Sequence, residues 1–474
     1  MVAVEVVVVA LDNARMNARA VLLVLLTATL LAMLIVHQGA NRLAPQVAQE
    51  HQGLEDEMIN AYREPGAFSI TLNTTEDCNL RCSYCYEVNK RKRSLKAEDA
   101  KSFIDHVLSD PDPGNILDDP DPVFRNAYNN GLVVDFIGGD SLIDVDFLDE
   151  IISYTLLRLM TTDTDNARRW RGNIHFSIST NGTLFTPKVR AFCEKYKEVL
   201  LIGVSLDGCP EIHDRNRVFP GGKGSMETIL KSWPWFKKTF PISATQTKAT
   251  ANRDTIPYLY DSLRFLHEEM GLTHINQNFI MEDMHITDDD LKRLDKEMER
   301  CVEYVLEHRK ELYWSMLGKE QFAYAHLSKG LDWTQTGHCG SGAMPALSVD
   351  GNIYPCIRWL PHTQVDKTDF IVGTAKDDFT HKENFLKVRQ GAYRENCTKD
   401  EKCRSCEYES ACTYCIGGCF SEFGTFRRTT YICEVTKILV KWSRHYWDRY
   451  NELEGLKKVD WKSVSEKSGS RHFS

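Results

Sequence analysis

The sequence predicts an α/β fold in which a partial (β/α)6 barrel precedes a cysteine-rich domain. Apolar, β-rich runs alternate with helical patterns from about residue 66, which is typical of βα units that form a parallel sheet. Fifteen cysteines occur among the 474 residues, and nine of them lie between Cys339 and Cys433. The length allows two or three domains with a large core. Together these observations separate a barrel half from a cysteine-rich half.

The strands of the barrel are predicted where the apolar runs occur. Six runs lie at residues 67–75, 131–139, 174–180, 200–208, 243–250 and 274–282. Helical patterns between them include residues 97–108, 147–160 and 256–270. Six βα units predict a barrel that is open on one side, and the functional groups of such barrels gather at the carboxyl ends of the strands.

The other segments complete the predicted domain organisation. An Asp- and Pro-rich stretch at residues 110–130 lacks periodicity and is predicted to be an insertion loop. A helical pattern at 288–317 lies near the start of the linker. Another helical pattern, at 436–453, precedes the tail. The predicted units are an apolar N-terminal extension at 1–65, the barrel at 66–285, a helical linker at 286–335, the cysteine-rich domain at 336–440, and a C-terminal helix and tail at 441–474.

Composition and charge narrow the class of protein. Hydrophobic residues make up 42% and charged residues 26% of the chain, which fits a globular enzyme. A net charge of −9 argues against a nucleic-acid partner, and the basic run at 90–93 is predicted to be a solvated turn. Disulfide-rich secreted proteins are usually much smaller. The close cysteine spacings therefore indicate metal ligands in a reducing, cytoplasmic compartment.

One short loop carries the most specific motif. Cys78, Cys82 and Cys85 form a C-x3-C-x2-C run directly after the first predicted strand. A cubic 4Fe–4S cluster normally takes four cysteine thiolates, so three thiolates leave one iron open to another ligand. This loop, with Tyr84 before its last cysteine, resembles that of radical SAM enzymes. The resemblance implies that the open iron binds S-adenosylmethionine, which is cleaved reductively to a 5′-deoxyadenosyl radical. The same resemblance implies that Tyr84 is one of the cofactor-binding residues.

Three further strand ends resemble the cofactor-binding motifs of that family. Gly138, Gly139 and Asp140 end the second strand, where the resemblance implies backbone contact with the amino group of S-adenosylmethionine. Asp replaces the more common Glu. By the same resemblance, Ser179 contacts the methionyl or ribose part of the cofactor and Arg217 lies near its carboxylate. The alternative is that the adjacent Asn-Gly and Asp-Gly pairs are only turn formers.

The later cysteines form a second motif. It consists of Cys339, eleven residues, Gly351, four residues and Cys356, followed by Cys403, Cys406, Cys412, Cys415, Cys419 and Cys433. This pattern resembles the SPASM extension, which binds two auxiliary 4Fe–4S clusters. One of Cys412 and Cys415 is extra to the family pattern. Zinc binding by the C-x2-C pairs is the alternative.

The resemblance implies how these cysteines divide between the two clusters. A barrel-proximal cluster takes Cys339, Cys356 and Cys419. A distal cluster takes Cys403, Cys406, Cys433 and either Cys412 or Cys415. The proximal cluster then lacks a fourth thiolate, which Cys397, the extra cysteine or a substrate thiol could supply. With the first loop, this predicts three 4Fe–4S clusters and S-adenosylmethionine as cofactors.

The N-terminal extension contains an apolar run, Ala20 to Val36, of 17 residues. At about 1.5 Å per residue it spans about 25 Å, the lower limit for crossing a membrane. The basic residues before it would place the enzyme outside the cell, which does not suit an oxygen-sensitive cluster. We therefore expect no membrane anchor. A helix packed on the barrel and an upstream extension that is not native sequence remain as alternatives.

The resemblance as a whole implies a peptide-modifying enzyme. The cysteine pattern is most similar to maturases of the ranthipeptide and sactipeptide type, which install thioether crosslinks in ribosomally made, Cys-rich precursor peptides. No catalytic residue is predicted, and a flavodoxin or ferredoxin is the expected electron donor. The alternatives are a sulfatase-maturase-like, formylglycine-forming enzyme, a SPASM enzyme that forms C–C bonds, and a non-catalytic electron-transfer or zinc-binding protein.

Overall fold

A computed structural model describes residues 67–109, 131–318, 344–365, 370–376, 381–459 and 461. All of them belong to one of the two compact units of the chain, Pro65–Ser474. The apolar run at 20–36, the insertion loop at 110–130 and Cys339 were assigned from the sequence, and they lie outside the described residues. Within the described residues, no helix has the length and apolar character needed to cross a membrane.

Seven parallel strands form the barrel wall, and three short strands extend it. In chain order they are β1 (Ala67–Thr75), β2 (Gly131–Gly138), β3 (Ile174–Thr180), β4 (Leu200–Val204), β5 (Gln246–Ala251), β6 (His274–Phe279), β7 (Tyr313–Trp314), β8 (Ala346–Leu347), β9 (Asn352–Tyr354) and β10 (Gly373–Thr374). One sheet has the order β10-β9-β8-β1-β2-β3-β4 and the other β5-β6-β7. A parallel bridge between Ser205 and Lys248 joins the two sheets. The predicted partial barrel is therefore confirmed.

Helices follow the strands as the alternating pattern predicts. In chain order they are α1 (Ala97–Leu108), α2 (Val145–Thr161), α3 (Asp165–Trp170), α4 (Pro187–Tyr196), α5 (Pro210–Asn216), α6 (Met226–Thr239), α7 (Leu259–Arg264), α8 (Asp288–Glu307), α9 (Lys382–Ala392), α10 (Arg394–Cys397), α11 (Glu401–Arg404), α12 (Ile416–Phe423) and α13 (Cys433–Leu453). A π-helical turn, Phe265–Glu269, continues α7. Short 3-10 turns lie at Ser141–Ile143, Ser243–Thr245, Arg253–Tyr258, Ser315–Leu317, Ile357–Trp359, Pro361–Thr363 and Glu409–Ala411.

The core lies between the outer face of the barrel wall and the helices. Alternate residues of the first four strands, such as Ile70, Phe136, Phe176 and Ile202, are almost fully buried there. This alternation follows from the two-residue period of a strand, which points successive side chains to opposite faces. The other face, which lines the barrel interior, is largely polar. The carboxyl ends of the strands therefore open onto a polar interior.

Two features of the fold differ from the sequence prediction. The helical pattern at 288–317 is a helix only as far as Glu307, after which β7 adds a strand beside β6. In addition, β8 pairs in parallel with β1, with Thr71 opposite Ala346. The first segment of the cysteine-rich region thus extends the barrel wall. Neither feature has a local signal, because a two-residue strand is defined by its partner rather than by its own sequence.

Candidate functional site

The three cysteines of the first motif lie on the loop after β1, at the carboxyl end of the barrel wall. Cys78 is buried, and Cys82 and Cys85 are half-buried. The amide of Cys85 donates to the carbonyl of Cys82 over 3.3 Å, which closes a tight turn. Burial raises the pKa of Cys78 to about 11, and the charges of Asp140 and Cys82 add to this effect. Burial also raises the pKa of Cys82. Three thiols on one short loop form a donor set suited to a bound cation.

The segment after α5 holds this loop in place. The amide of Arg81 donates to the carbonyl of Val218 over 2.7 Å, and that of Ser83 donates to Asn216 over 3.0 Å. The guanidinium of Arg81 also donates to the carbonyl of Cys78 at 2.6 Å. Backbone bonds on both sides of Cys82 therefore fix its position without using the thiol groups.

The glycines that end β2 allow close packing against the cysteine loop. A Cβ atom on Gly138, whose φ is +151°, would lie 2.1 Å from the carbonyl oxygen of Thr75. A Cβ atom on Gly139 would lie 1.8 Å from the carbonyl oxygen of Asp77 and 2.9 Å from Cβ of Cys78. The amide of Gly139 donates to Thr75 over 2.9 Å. Glycine is required here because two backbones nearly touch.

Asp140 uses its side chain to join strand ends. Its buried carboxylate accepts from the amide of Leu142 at 3.1 Å, the hydroxyl of Thr180 at 2.9 Å and the amide of Asn181 at 2.9 Å. Burial raises its pKa to about 6. Ser179, by contrast, is exposed on the interior face of β3. The carboxylate is thus occupied within the protein, while Ser179 is accessible from the barrel interior.

Arg217 and Tyr84 both contact the fully buried Asp207. The guanidinium of Arg217 donates to its two carboxylate oxygens at 2.9 and 3.1 Å. Tyr84 donates its hydroxyl hydrogen to the same carboxylate, and its ring faces the guanidinium at 5.5 Å. The amide of Thr250 also donates to Asp207, over 3.1 Å. This network ties the cysteine loop to the ends of β4 and β5.

A second buried network, which no sequence motif indicates, flanks the same loop. His362, from the cysteine-rich region, lies 3.8 Å from Glu76 and 3.7 Å from Glu87. Glu76 precedes the first cysteine and Glu87 follows the third. Lys90 pairs with Glu87 at 2.9 Å. Lys90 is therefore a partly buried member of this network, whereas the sequence predicted a solvated basic turn.

Four of the later cysteines line one cavity. They are Cys403, Cys406, Cys412 and Cys433. A hydrogen bond between Cys412 and Cys433 lowers the pKa of Cys433 to about 6. Lys402, Arg428 and Lys437 also line the cavity, and their charges favour thiolates. The structure therefore brings together a complete set of four thiols that includes Cys412 rather than Cys415.

The remaining cysteines of this region lie near a separate aromatic core. Cys397 and Cys419 are buried in it, and Cys356 packs against it. Cys415 lies at the amino-terminal end of α12, where its sulfur accepts from the amide of Gly418 at 3.5 Å. Burial raises the pKa of Cys419 to about 12, and charge on Cys415 or Cys397 adds to this effect. This second set therefore contains Cys397 and Cys415, two of the cysteines named above as candidates for a fourth thiolate.

Two arginines connect these groups of thiols. Arg358 stacks over the ring of Tyr86 at 4.9 Å and pairs with Glu282 at 2.9 Å, and its charge interacts with Cys415. Arg428 interacts electrostatically with Cys397 in one set and with Cys403 and Cys412 in the other. Sequence reasoning missed both arginines because neither belongs to a spaced motif.

The three cysteines outside these motifs are buried. Cys193 and Cys301 are fully inaccessible within the core around α4 and α8. Cys209 is nearly so, and it accepts from the hydroxyl of Ser262 at 3.7 Å. None of the three joins either set of thiols described above.

Comparison with known proteins finds a family match over most of the barrel. The family description "Radical SAM superfamily" matches residues 72–247. An uncharacterized protein of Methanocaldococcus jannaschii is 29% identical over 202 residues, which are 42% of this chain and 59% of that protein. A cysteine-type anaerobic sulfatase-maturating enzyme of Clostridium novyi is 30% identical over 160 residues, which are 33% of this chain and 36% of that protein. The chain thus spans about a third to three fifths of the length of these relatives.

Solved structures share the fold over a longer range. The structure of anSMEcpe with bound AdoMet covers 82% of this chain and 99% of its own, with a TM-score of 0.59 and 18% identity. Streptococcus suis SuiB bound to precursor peptide SuiA covers 79% and 78%, with a TM-score of 0.51 and 14% identity. The fold therefore extends beyond the matched domain into the cysteine-rich region. Residues 72–247 of this chain are therefore a radical SAM domain, and a cysteine-rich region follows it.

Proposed function

We propose that this chain is a peptide-modifying radical SAM enzyme that installs thioether crosslinks in a ribosomally made, Cys-rich precursor peptide. Each crosslink joins a cysteine sulfur to a backbone or side-chain carbon. The observation that carries the proposal is the presence of two further sets of thiols in the same compact unit as the Cys78–Cys85 loop. Removal of one hydrogen atom in the barrel takes only one electron from the peptide. The second electron needs another acceptor, and metal clusters bound by these thiols would provide it.

The first set of thiols fits a 4Fe–4S cluster with one open iron. Cys78, Cys82 and Cys85 share one loop, and the close approach of Gly139 to Cys78 forms its floor. When bound there, the cluster and S-adenosylmethionine supply a 5′-deoxyadenosyl group that takes a hydrogen atom from carbon. Thiolate ligation also requires reducing conditions, which supports the cytoplasm as the compartment and flavodoxin or ferredoxin as the electron donor.

In this proposal, different residues of the chain bind different parts of S-adenosylmethionine. The amides of Gly139 and Asp140 donate to the cysteine loop, which leaves backbone carbonyls to accept from the ammonium group of the cofactor. Ser179 offers a hydroxyl from the interior face of β3. The bonds of Tyr84 and Arg217 with Asp207 make them positioning residues for the loop, in addition to any contact with the cofactor.

The later thiols fit two auxiliary clusters. Cys403, Cys406, Cys412 and Cys433 supply four ligands for the distal one. For the proximal one we assign Cys356, Cys415 and Cys419, with Cys397 and Cys339 as the further candidates. The described thiols of this set, Cys356, Cys397, Cys415 and Cys419, are as many as one cluster needs. A substrate thiol is therefore not required to complete it, although it could displace one of the protein ligands.

The cysteine assignment predicts different losses of iron from two neighbouring substitutions. Replacing Cys412 by alanine should remove the distal cluster, about four of about twelve irons per chain. Cys415→Ala should leave the distal cluster intact, because its four ligands remain. Iron analysis and EPR spectra of the reduced, anaerobically purified proteins measure both effects, and Cys209→Ser is the matched control, with unchanged iron. Loss of the same EPR signal from both alanine variants would show that the assignment is wrong.

The thioether reaction requires acceptors for the electrons and protons that leave the peptide. It breaks a C–H and an S–H bond and forms a C–S bond, so that two electrons and two protons leave the peptide. With the cofactors bound, one hydrogen atom would go to the 5′-deoxyadenosyl group, one proton to solvent and one electron to the auxiliary clusters. Arg358 lies between the first loop and the proximal thiols, where its charge would stabilise a thiolate.

A formylglycine-forming, sulfatase-maturase-like activity is the second candidate. The likeness to the Clostridium novyi enzyme supports it, and the required cofactors are the same. The precursor peptide bound to SuiB supports the first candidate equally at the level of fold. A C–C bond-forming enzyme of the same architecture is the third. The chemical fate of the substrate sulfur separates these alternatives.

Mass spectrometry of a co-expressed Cys-rich precursor peptide tests the proposal. We expect a loss of two hydrogen atoms per crosslink, with all sulfur retained and the modified cysteine resistant to alkylation. Loss of sulfur would instead indicate formylglycine formation, and loss of hydrogen with alkylatable cysteines would indicate a C–C bond. Anaerobic incubation with S-adenosylmethionine and reductant provides the basal assay. Absence of 5′-deoxyadenosine from the cluster-loaded protein, with and without peptide, would overturn the radical reading.

A further inference from the structure

A group of histidine and carboxylate side chains lies at the end of α8 and on the π-helical turn after α7, and it includes none of the clustered thiols described above. His267 lies on the π-helical turn Phe265–Glu269, and His308 caps the carboxyl end of α8. One ligand atom from each of these and one from Glu311 lie within 4.8 Å of one another. Nothing in the radical chemistry uses these residues. We propose that His267, His308 and Glu311 bind one divalent transition-metal ion, with Zn²⁺ as the best fit.

The donor set suits such an ion. Two imidazoles and one carboxylate are typical ligands of Zn²⁺, at distances of about 2.0–2.2 Å. The two imidazole rings are 4.8 Å apart between centroids. Nδ1 of His308 lies 2.7 Å from a carboxylate oxygen of Glu311. Displacements of about 1 Å at the ligand atoms would therefore bring the three ligands around one ion. Further coordination positions would remain for water.

A second layer of contacts orients the first histidine. Nδ1 of His267 lies 2.7 Å from the hydroxyl of Tyr304, whose oxygen is also 3.1 Å from Glu268. Arg264 in turn pairs with Glu268 at 2.7 Å. This leaves Nε2 of His267 as the ligand atom. Metal-binding histidines generally have such an outer partner on the second ring nitrogen.

The local charges also favour a cation. Glu311 contributes one carboxylate to the group, and Glu268 lies beside it through the hydroxyl of Tyr304. The carboxyl end of α8 adds the negative end of a helix dipole, and its last turn carries no basic residue. A bound ion would connect the π-helical turn to the end of α8, two elements that pack on the barrel wall.

Zinc binding by the cluster-loaded protein tests this proposal, because the cysteines of the cluster sites are then ligated. We expect one zinc per chain to remain after dialysis against a weak chelator. Zinc K-edge X-ray absorption should show a shell of nitrogen and oxygen with imidazole scattering and without sulfur. His267→Gln and His308→Gln should each weaken zinc binding at least tenfold. Tyr304→Phe should weaken it about tenfold to a hundredfold, as loss of an outer partner does.

A matched variant controls for adventitious binding. His381 forms an exposed pair with Glu383 at 3.3 Å, without a second histidine in that pair, so His381→Gln should leave zinc affinity unchanged. Unchanged iron content shows that each variant is folded and carries its clusters. A sulfur-containing zinc shell, equal zinc retention in the His267 and His308 variants, or complete loss of zinc from the wild-type protein on dialysis would each overturn the proposal.

Discussion

Replacing Gly139 by alanine is expected to abolish assembly of the first cluster. The added Cβ atom would lie 1.8 Å from the carbonyl oxygen of Asp77 and 2.9 Å from Cβ of Cys78. Backbone atoms cannot give way as the end of a flexible side chain can, and overpacking of this kind typically costs about 1–3 kcal/mol or more. We expect about four of about twelve irons to be lost, with no 5′-deoxyadenosine formed. Iron analysis and chromatography of the assay mixture measure the two effects.

Gly172→Ala is the matched control for this substitution. A Cβ atom on Gly172 has no neighbour within 4 Å and the residue needs no left-handed conformation. This variant should retain full iron content and full cleavage of S-adenosylmethionine. If Gly139→Ala behaves in the same way, the close packing of the β2 end against the cysteine loop is not required for the cluster.

Replacing Arg217 by methionine is expected to produce the largest loss of folding stability. The substitution leaves the carboxylate of Asp207, which is 0% exposed, without its charged partner. Removing one member of a buried ion pair typically costs about 3–5 kcal/mol, because the remaining charge is uncompensated. The free energy of unfolding, measured anaerobically from urea titrations of the cluster-loaded protein, should fall by about this amount.

Two companion variants show whether the buried charge is the cause. Asp207→Asn combined with Arg217→Met removes the unpaired charge and should recover part of the lost stability. Lys188→Met breaks an exposed pair with Asp146 and should cost less than about 1 kcal/mol. Equal stability of Arg217→Met and the wild-type protein would contradict the positioning role and favour contact with the cofactor as the main role of Arg217.

The features that the sequence predicted well are local ones. The first strand and the helix Ala97–Leu108 have the predicted bounds, because their apolar periods match a single regular element. The Cys78–Cys85 loop was placed correctly at the end of β1, since the strand pattern and the cysteine spacing are adjacent. The sequence also identified the Gly138–Gly139 pair. Glycine is needed there because the backbone of Thr75 and Asp77 lies too close for a side chain.

The features that the sequence could not decide depend on distant partners. Spacing alone left Cys412 and Cys415 equivalent, and the cavity shared with Cys433 separates them. The pairs of Asp207 with Arg217 and of His362 with Glu87 join segments that have no common periodicity. Arg358 and Arg428 were missed for the same reason, since a single basic residue has no pattern until its neighbours are known.

The sequence by itself determined the family, the barrel and the thiols, because each rests on residues a few positions apart whose spacing is set by one loop or one period. Only the tertiary structure decided which thiols share a cavity, which charges are buried together and how the cysteine-rich region joins the barrel through β8 and β1. These depend on how separate elements pack together, and packing energies are properties of the assembled interior rather than of any one segment.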